Sequence, residues 1–470
     1  MDKHAEMIRF GNDGWKTRCD EGFTVDNAVR VADALGTLWA DSDEGAVVCV
    51  GYDTRRGSRE VAEAIAGTIA AYGLNVRLSD EPCPTPAVAW ACSQDERAIG
   101  AVIVTASELS CDYGGVIVRG SDGGPCTRDF LDDIEQAVPG EPPTERGSFE
   151  TCDFVSPYLD DLKNHFDTAA ISSRAPKVVV DPMYGAAAGI VSRLLRDLGC
   201  DVVEIHQKSL GDFGGIHPAP TEPWVDECEQ VVVEQGADLA IVLDCDADRA
   251  ALVDENGALV TVREFVPLII KALVSRGATE TRIVSTLTSS ALIERRAEQL
   301  GLDFTPVSVG FSYIYDEMGE DDVLLGAEEY GGISIPSHLR ERDGIYACLF
   351  AIEALCASGK KLSELLDEQD GELGHTCWLR RDVRIEASAA EVLRNVLPGV
   401  NPPEIAGKKP CDVSHADGMR LGFEDGSWVL VRQARTEPVV RVYAEAPDAS
   451  SRDALIEAAS DLIKTGAIFA

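Results

Sequence analysis

Short apolar runs recur along the chain, each closed by a small, hydroxyl or acidic residue and followed by an amphipathic stretch. The pattern is plainest in AVVCVGYDTRRGSREVAEAIAGTIAAYG, AVIVTAS, PKVVVDPMYGAAAGIVSRLLRDLG, ADLAIVLDCDADR and RIVSTLTSSALIERRAEQLG. Continuous apolar runs predict strands covered on both faces, and the stretches between them, with apolar positions spaced near 3.6, predict helices. Their alternation predicts α/β layers with largely parallel sheets. In such sheets ligands gather beyond the carboxyl ends of strands, where Asp53, Ser107 and Asp244 fall.

The last part of the chain changes style. GMRLGFEDGSWVLVRQARTEPVVRVYAEA reads as three successive strands joined by hairpin turns, and SSRDALIEAASDLIKTG as a closing helix, which predicts an α+β domain with an antiparallel sheet. Polar segments mark the expected boundaries. VPGEPPTERGSFETCD (138–153) closes a first domain, VDENGALVTV (253–262) reads as a hairpin between second and third, and LDEQDGELGHTCW (366–378) separates the last. The expected domains are therefore 1–150, 151–256, 257–370 and 371–470.

Charge narrows the partners. The 470 residues carry 42 Lys and Arg against 81 Asp and Glu, a net charge of -39, which repels nucleic acid and anionic membranes alike. A phosphorylated small molecule then needs a local cationic cluster. No run approaches a membrane span and the first residues lack an apolar signal core, so a cytoplasmic protein is expected. The 14 cysteines are scattered without a C-x-x-C pair, often in apolar stretches (Cys49, Cys200, Cys348, Cys356), and read as buried thiols.

Candidate chemistry begins at DCDADR, where Asp244, Asp246 and Asp248 alternate just past an apolar strand. Three carboxylates in five residues repel one another unless a hard cation such as Mg²⁺ or Ca²⁺ binds them. A calcium EF-hand is excluded because Arg249 stands at the sixth position, where that loop needs Gly, and a strand enters it. Ser107 ends another strand and is either a turn residue or a nucleophile offered beside a metal, with Gly114 and Gly115 allowing close backbone approach. Arg432, Arg435 and Thr436, with Arg441 beyond, form either an oxyanion cradle or a charged hairpin tip. Glu328, Glu329 and Tyr330 suit a loop that accepts hydrogen bonds from sugar hydroxyls, or any acidic loop.

Taken together and in order, RFGNDGWK, GYDTRRGS, TAS, DFGGIHPAPTE, DCDADR, VSVGFSYI, GAEEYGG with HLRERDG, and RTEP resemble the α-D-phosphohexomutase superfamily of phosphoglucomutases and phosphomannomutases. The resemblance implies an α/β protein of four domains around a central cleft, three similar α/β/α units and a smaller α+β C-terminal domain. It implies that a phosphoserine at Ser107 passes its phosphoryl group to a hexose monophosphate, through a bisphosphorylated sugar that also serves as activator. Mg²⁺ would be held by Asp244, Asp246, Asp248 and Ser107. Arg249, Glu328, Arg432 and Thr436 match family positions near phosphate or sugar, and Lys16, Tyr330 and Arg435 stand at such positions with other residue types.

Several positions depart from the family pattern. Glu108-Leu109-Ser110 follow the serine where His-Asn-Pro is usual, Lys16 stands for Arg, and Ser312 for a Lys that assists proton transfer. Tyr330 replaces the serine of the sugar loop, and Ala434-Arg435 replace Ser-Gly. The retained aspartates and serine favour a working mutase over a sugar-phosphate binder or regulatory homologue, because a pure binder has little use for a costly carboxylate cluster. A metal-dependent sugar phosphatase is the third reading.

Overall fold

The computed structural model describes residues 8–11, 14–208, 210–434 and 438–464. They form two compact units, one of residues 1–284 and 310–365, the other of 285–309 and 366–470.

The first unit contains two mixed sheets. In one, the strand order is Trp15–Arg18, Tyr113–Arg119, Ala98–Val104, Val47–Tyr52, Asn75–Ser79, Glu150–Cys152. Val47–Tyr52 is buried along its length and pairs in parallel with Asn75–Ser79 and Ala98–Val104. Tyr113–Arg119 runs antiparallel to both of its neighbours. Helices Val25–Trp39 and Ser58–Ala70 turn Leu35, Ile65 and Ile69 into the same core as Val48 and Val50. The other sheet is ordered Leu259–Val260, Ala250–Asp254, Leu239–Leu243, Lys177–Asp181, Asp201–Glu204. Its last three strands are parallel and its first three antiparallel. The largely parallel sheets expected from the apolar runs are thus parallel at their centres, with hairpins completing one side.

The hairpin expected at 253–262 is present, with Leu252 opposite Val260. It belongs to the second sheet. The helix Leu362–Leu373 runs through most of the segment 366–378.

In the second unit, an antiparallel sheet is ordered Cys377–Arg384, Val439–Ala446, Trp428–Gln433, Met419–Gly422, Asp412–Ser414. Helix Ala449–Lys464 packs Leu455, Ile456, Ala459 and Ile463 against Val429, Val431, Val440 and Val442. Among the described residues no helix is long and apolar enough to cross a membrane. All the cysteines are free; Cys49, Cys200 and Cys348 are buried, Cys356 is half-buried, and Cys19, Cys111 and Cys411 are exposed.

Candidate functional site

Ser107 sits three residues past the end of Ala98–Val104 and is 1% exposed. Its φ of 51° lies in the left-handed region, a conformation that costs a non-glycine residue about 1–2 kcal/mol. The surrounding contacts hold it there. Its backbone N–H donates to Thr105 Oγ1 at 2.9 Å, and the Arg55 guanidinium gathers the loop by donating to the carbonyls of Ser107, Leu109, Ser110 and Tyr113 at 2.5, 2.6, 2.6 and 3.1 Å. Asp53, at the end of the adjacent strand, fixes Arg55 by accepting from its Nε at 3.0 Å and is itself held by the Ser58 hydroxyl at 2.6 Å. A Cβ on Gly115 would lie 2.5 Å from the Thr105 carbonyl oxygen, so only glycine lets that strand run so close beneath the serine.

The strand Leu239–Leu243 delivers the three aspartates. One ligand oxygen from each of Asp244, Asp246 and Asp248 lies within 4.8 Å of the others, and all three residues are buried. Ala247, at φ 60°, makes the tight turn between them. Burial, and then the charges of Asp246 and Asp248, push the Asp244 carboxyl well above the usual carboxylate range. Asp246 Oδ2 accepts from Thr85 Oγ1 at 2.8 Å while its Oδ1 makes no hydrogen bond. Asp248 faces Arg342 Nη2 at 2.6 Å. Buried, mutually repelling carboxylates with an orphaned oxygen fit a hard divalent cation bound through oxygen alone.

The two strand ends meet at Ser107. Its Oγ donates to Asp244 Oδ2 at 2.9 Å and accepts from Arg249 Nη1 at 2.7 Å. The same Arg249 nitrogen donates to Glu108 Oε2 at 2.5 Å. Burial opposes ionisation of Glu108, but the charges of Arg249 and Lys16 outweigh it and hold the carboxyl well below the usual carboxylate range. Lys16 reaches this cluster from the strand Trp15–Arg18, where it lies opposite Gly115.

The loop 328–332 adjoins Arg249. The Ala250 N–H donates to the Gly331 carbonyl at 3.1 Å, and a Cβ on Gly331, whose φ is +95°, would meet the Ala250 oxygen at 2.7 Å. Glu328 accepts from Arg342 Nη1 at 3.2 Å, so one guanidinium joins this loop to Asp248. Tyr330 is half-buried in the turn. Ser107, Lys16, Arg249, Glu328, Tyr330 and the three aspartates thus all lie in the first unit. Arg432 lies in the second, where its Nε donates to Asp417 at 2.6 Å, and Asp417 also accepts from the Val309 N–H. Arg435 and Thr436 lie outside the described residues.

Three residues with clear positions here escaped the reading of the sequence as site residues. Arg55 and Arg342 stand inside the quoted GYDTRRGS and HLRERDG segments, so the signal was there without a role. Thr85 carries no local signal, because only folding brings it to Asp246.

Comparison with known proteins finds relatives along most of the chain. The chain matches phosphoglucomutase/phosphomannomutase alpha/beta/alpha domains I, II and III over residues 7–144, 156–257 and 263–370, and the C-terminal domain of the same family over 384–462. It is 30% identical over 447 residues to a phosphoglucomutase/phosphomannomutase of Thermococcus kodakarensis, covering 93% of this chain and 94% of the relative. A phosphoglucosamine mutase of Rhodospirillum rubrum is 30% identical over 459 residues, covering 94% and 95%. Among solved structures, one from Thermus thermophilus described as a candidate phosphomannomutase superposes with a TM-score of 0.87 at 31% identity, covering 97% of this chain and 99% of the other.

Proposed function

This chain belongs to the phosphoglucomutase/phosphomannomutase family, and on that premise we propose that it interconverts the 1- and 6-phosphates of a hexose of the glucose or mannose type, with Ser107 as phosphoryl carrier. Its relatives support hexose-phosphate mutase chemistry in general, some acting on glucosamine phosphates by name. The choice of sugar rests on the EE-x-GG and H-x-x-ERDG frame around Glu328 and Arg342. The proposed domains remain 1–150, 151–256, 257–370 and 371–470.

One observation carries the reading. Ser107 Oγ is hydrogen-bonded at once to Asp244 and to Arg249, so a phosphoryl group on it would sit between a carboxylate cluster suited to a metal and a fixed guanidinium. Asp244, Asp246 and Asp248, with Ser107, would hold Mg²⁺, which supplies charge neutralisation as the phosphoryl group moves. The chain's own groups do the rest. Arg249 faces the oxygen that must leave as the Ser107 O–P bond breaks, and its N–H stabilises the developing negative charge. Arg55 holds the serine loop so that Oγ keeps its place. Glu328 accepts from sugar hydroxyls, while Tyr330 bounds the loop and Arg432, Arg435 and Thr436 hold the substrate's second phosphate.

The test is intact mass with peptide mapping after incubation with Mg²⁺ and a hexose 1,6-bisphosphate. One phosphate on Ser107, lost on adding a hexose monophosphate and recovered as its positional isomer, supports the mutase. No phosphate at Ser107 favours a binding protein. Release of inorganic phosphate without isomerisation identifies a phosphatase.

A further inference from the structure

Asp161, His165 and His338 each offer a ligand atom within 4.8 Å of the other two, and none of them belongs to the serine and aspartate site. Asp161 and His165 are one turn apart at the carboxyl end of helix Val155–Asn164, and His338 precedes helix Gly344–Ser358. His165 Nε2 lies 3.3 Å from Asp161 Oδ2, and His338 Nδ1 lies 3.6 Å from the same oxygen. Metal bonds of about 2.0–2.1 Å in a tetrahedron separate neighbouring ligand atoms by about 3.3–3.4 Å. The two distances from Asp161 Oδ2 are close to that separation.

His338 supplies the second observation. Its side chain is only 2% exposed, and its Nδ1 makes no hydrogen bond. Its Nε2 faces Asp343 Oδ2 at 3.0 Å, and Asp343 is held by the Tyr158 hydroxyl at 2.8 Å and the Tyr346 N–H at 2.8 Å. A carboxylate only accepts, so the Nε2 proton points at Asp343, and in that tautomer Nδ1 presents a lone pair toward Asp161, acceptor against acceptor. A cation between them resolves that conflict, and a histidine whose far nitrogen donates to a carboxylate is the usual setting of a metal-bound imidazole. Asp161 and His165 are 31% and 34% exposed, which leaves an entry path and a fourth position for water.

We propose that Asp161, His165 and His338 form a binding site for a divalent transition metal of the Zn²⁺ class. Nitrogen donors distinguish it from the oxygen-only aspartate cluster, which suits Mg²⁺. The bound ion would tie helix Val155–Asn164 to the segment 338–343, which also carries Arg342 with its contacts to Asp248 and Glu328.

The test uses the full-length protein, stripped of metal and held in excess Mg²⁺ to occupy the aspartate cluster, then titrated with Co²⁺. A strong visible absorption of the tetrahedral type, saturating at one Co²⁺ per chain and bleached by Zn²⁺, is expected. His165→Ala and Asp161→Asn change half-exposed side chains, and each should abolish the band and weaken Zn²⁺ binding at least about tenfold, with unchanged circular dichroism. A band that survives both substitutions, a weak octahedral-type spectrum in the unsubstituted protein, or a near-ultraviolet thiolate band from a cysteine site would overturn the proposal. So would ¹⁵N shifts showing His338 doubly protonated and unmoved by Zn²⁺, since the ring would then be an imidazolium bridging Asp161 and Asp343. These readouts do not depend on mutase activity, so the site stands or falls apart from the function of Ser107.

Discussion

Glu108 and Ser107 share one nitrogen of Arg249: Nη1 donates to Glu108 Oε2 at 2.5 Å and to Ser107 Oγ at 2.7 Å. The Glu108 carboxylate thus occupies part of the cationic pocket that a phosphate on Ser107 would require, and it is kept ionised there by Arg249 and Lys16. Under the proposed mechanism, phosphorylation of Ser107 would have to displace that carboxylate.

Glu108→Gln should accordingly raise the steady level of phosphoserine and lower KM for the sugar bisphosphate by roughly tenfold, about 1.4 kcal/mol, a part of the roughly 4 kcal/mol that two unit charges about 4 Å apart exchange near a protein surface. Intact mass and initial rates read both effects. An unchanged KM and phosphoserine level would mean that Glu108 leaves the pocket at no cost.

The left-handed backbone at Ser107 separates function from stability. Ser107→Ala and Ser107→Gly should both abolish phosphorylation at this position, but Gly relieves the φ of 51° and should be more stable than Ala by about 1 kcal/mol. Denaturant unfolding of the two variants side by side checks this, and equal stabilities would count against backbone strain.

Asp246 should show opposite signs with and without metal. In chelator, Asp246→Asn removes one of three crowded charges and should raise the melting temperature by a few degrees. At about a hundredfold excess of Mg²⁺ over its Kd, the unsubstituted protein should gain about 2.7 kcal/mol, a gain the variant lacks. Differential scanning calorimetry in EDTA and in Mg²⁺ distinguishes the two regimes.

Arg55 is expected to be irreplaceable by Lys. A single ammonium cannot reach the carbonyls of Ser107, Leu109, Ser110 and Tyr113 while pairing with Asp53. Arg55→Lys should cost roughly 3 kcal/mol of stability and slow phosphorylation of Ser107. Retention of both in a rapid-mixing assay and a melting curve would show that the loop holds itself.

His206 gives the pH dependence a sign. Burial opposes its protonation, but Asp181 at 2.9 Å and Glu227 at 3.2 Å outweigh it and raise the imidazole above its ordinary 6.5. A raised folded value means the stabilisation is complete below about 6.5 and is lost as pH rises through the folded value. The stability advantage of the natural protein over His206→Gln should therefore be full below about pH 6.5 and shrink as the pH rises above it, measured by urea midpoints. A difference that is constant with pH would remove His206 from the account.

What the sequence determined by itself was local. Apolar runs such as AVVCVGY and LAIVL specify strands because they are covered on both faces, and the alternation with amphipathic stretches leaves little but α/β layering. The order of the motifs carried the family, and the adjacency of Asp244, Asp246 and Asp248 carried a cation site, since crowded charge needs no fold to be recognised.

Tertiary structure decided everything that depends on distant residues meeting. Nothing local says that the hairpin at 253–262 completes a sheet, that 366–373 continues a helix, or that Thr85 reaches Asp246. Nor does the chain announce that Glu108, which stands where the family pattern has His, would find Arg249 and Lys16 waiting for it, or that His338 would turn Nδ1 toward Asp161. Period and composition report what a residue needs from water and from its immediate neighbours. Which charge or lone pair answers that need is settled only when strands far apart in sequence end at the same place.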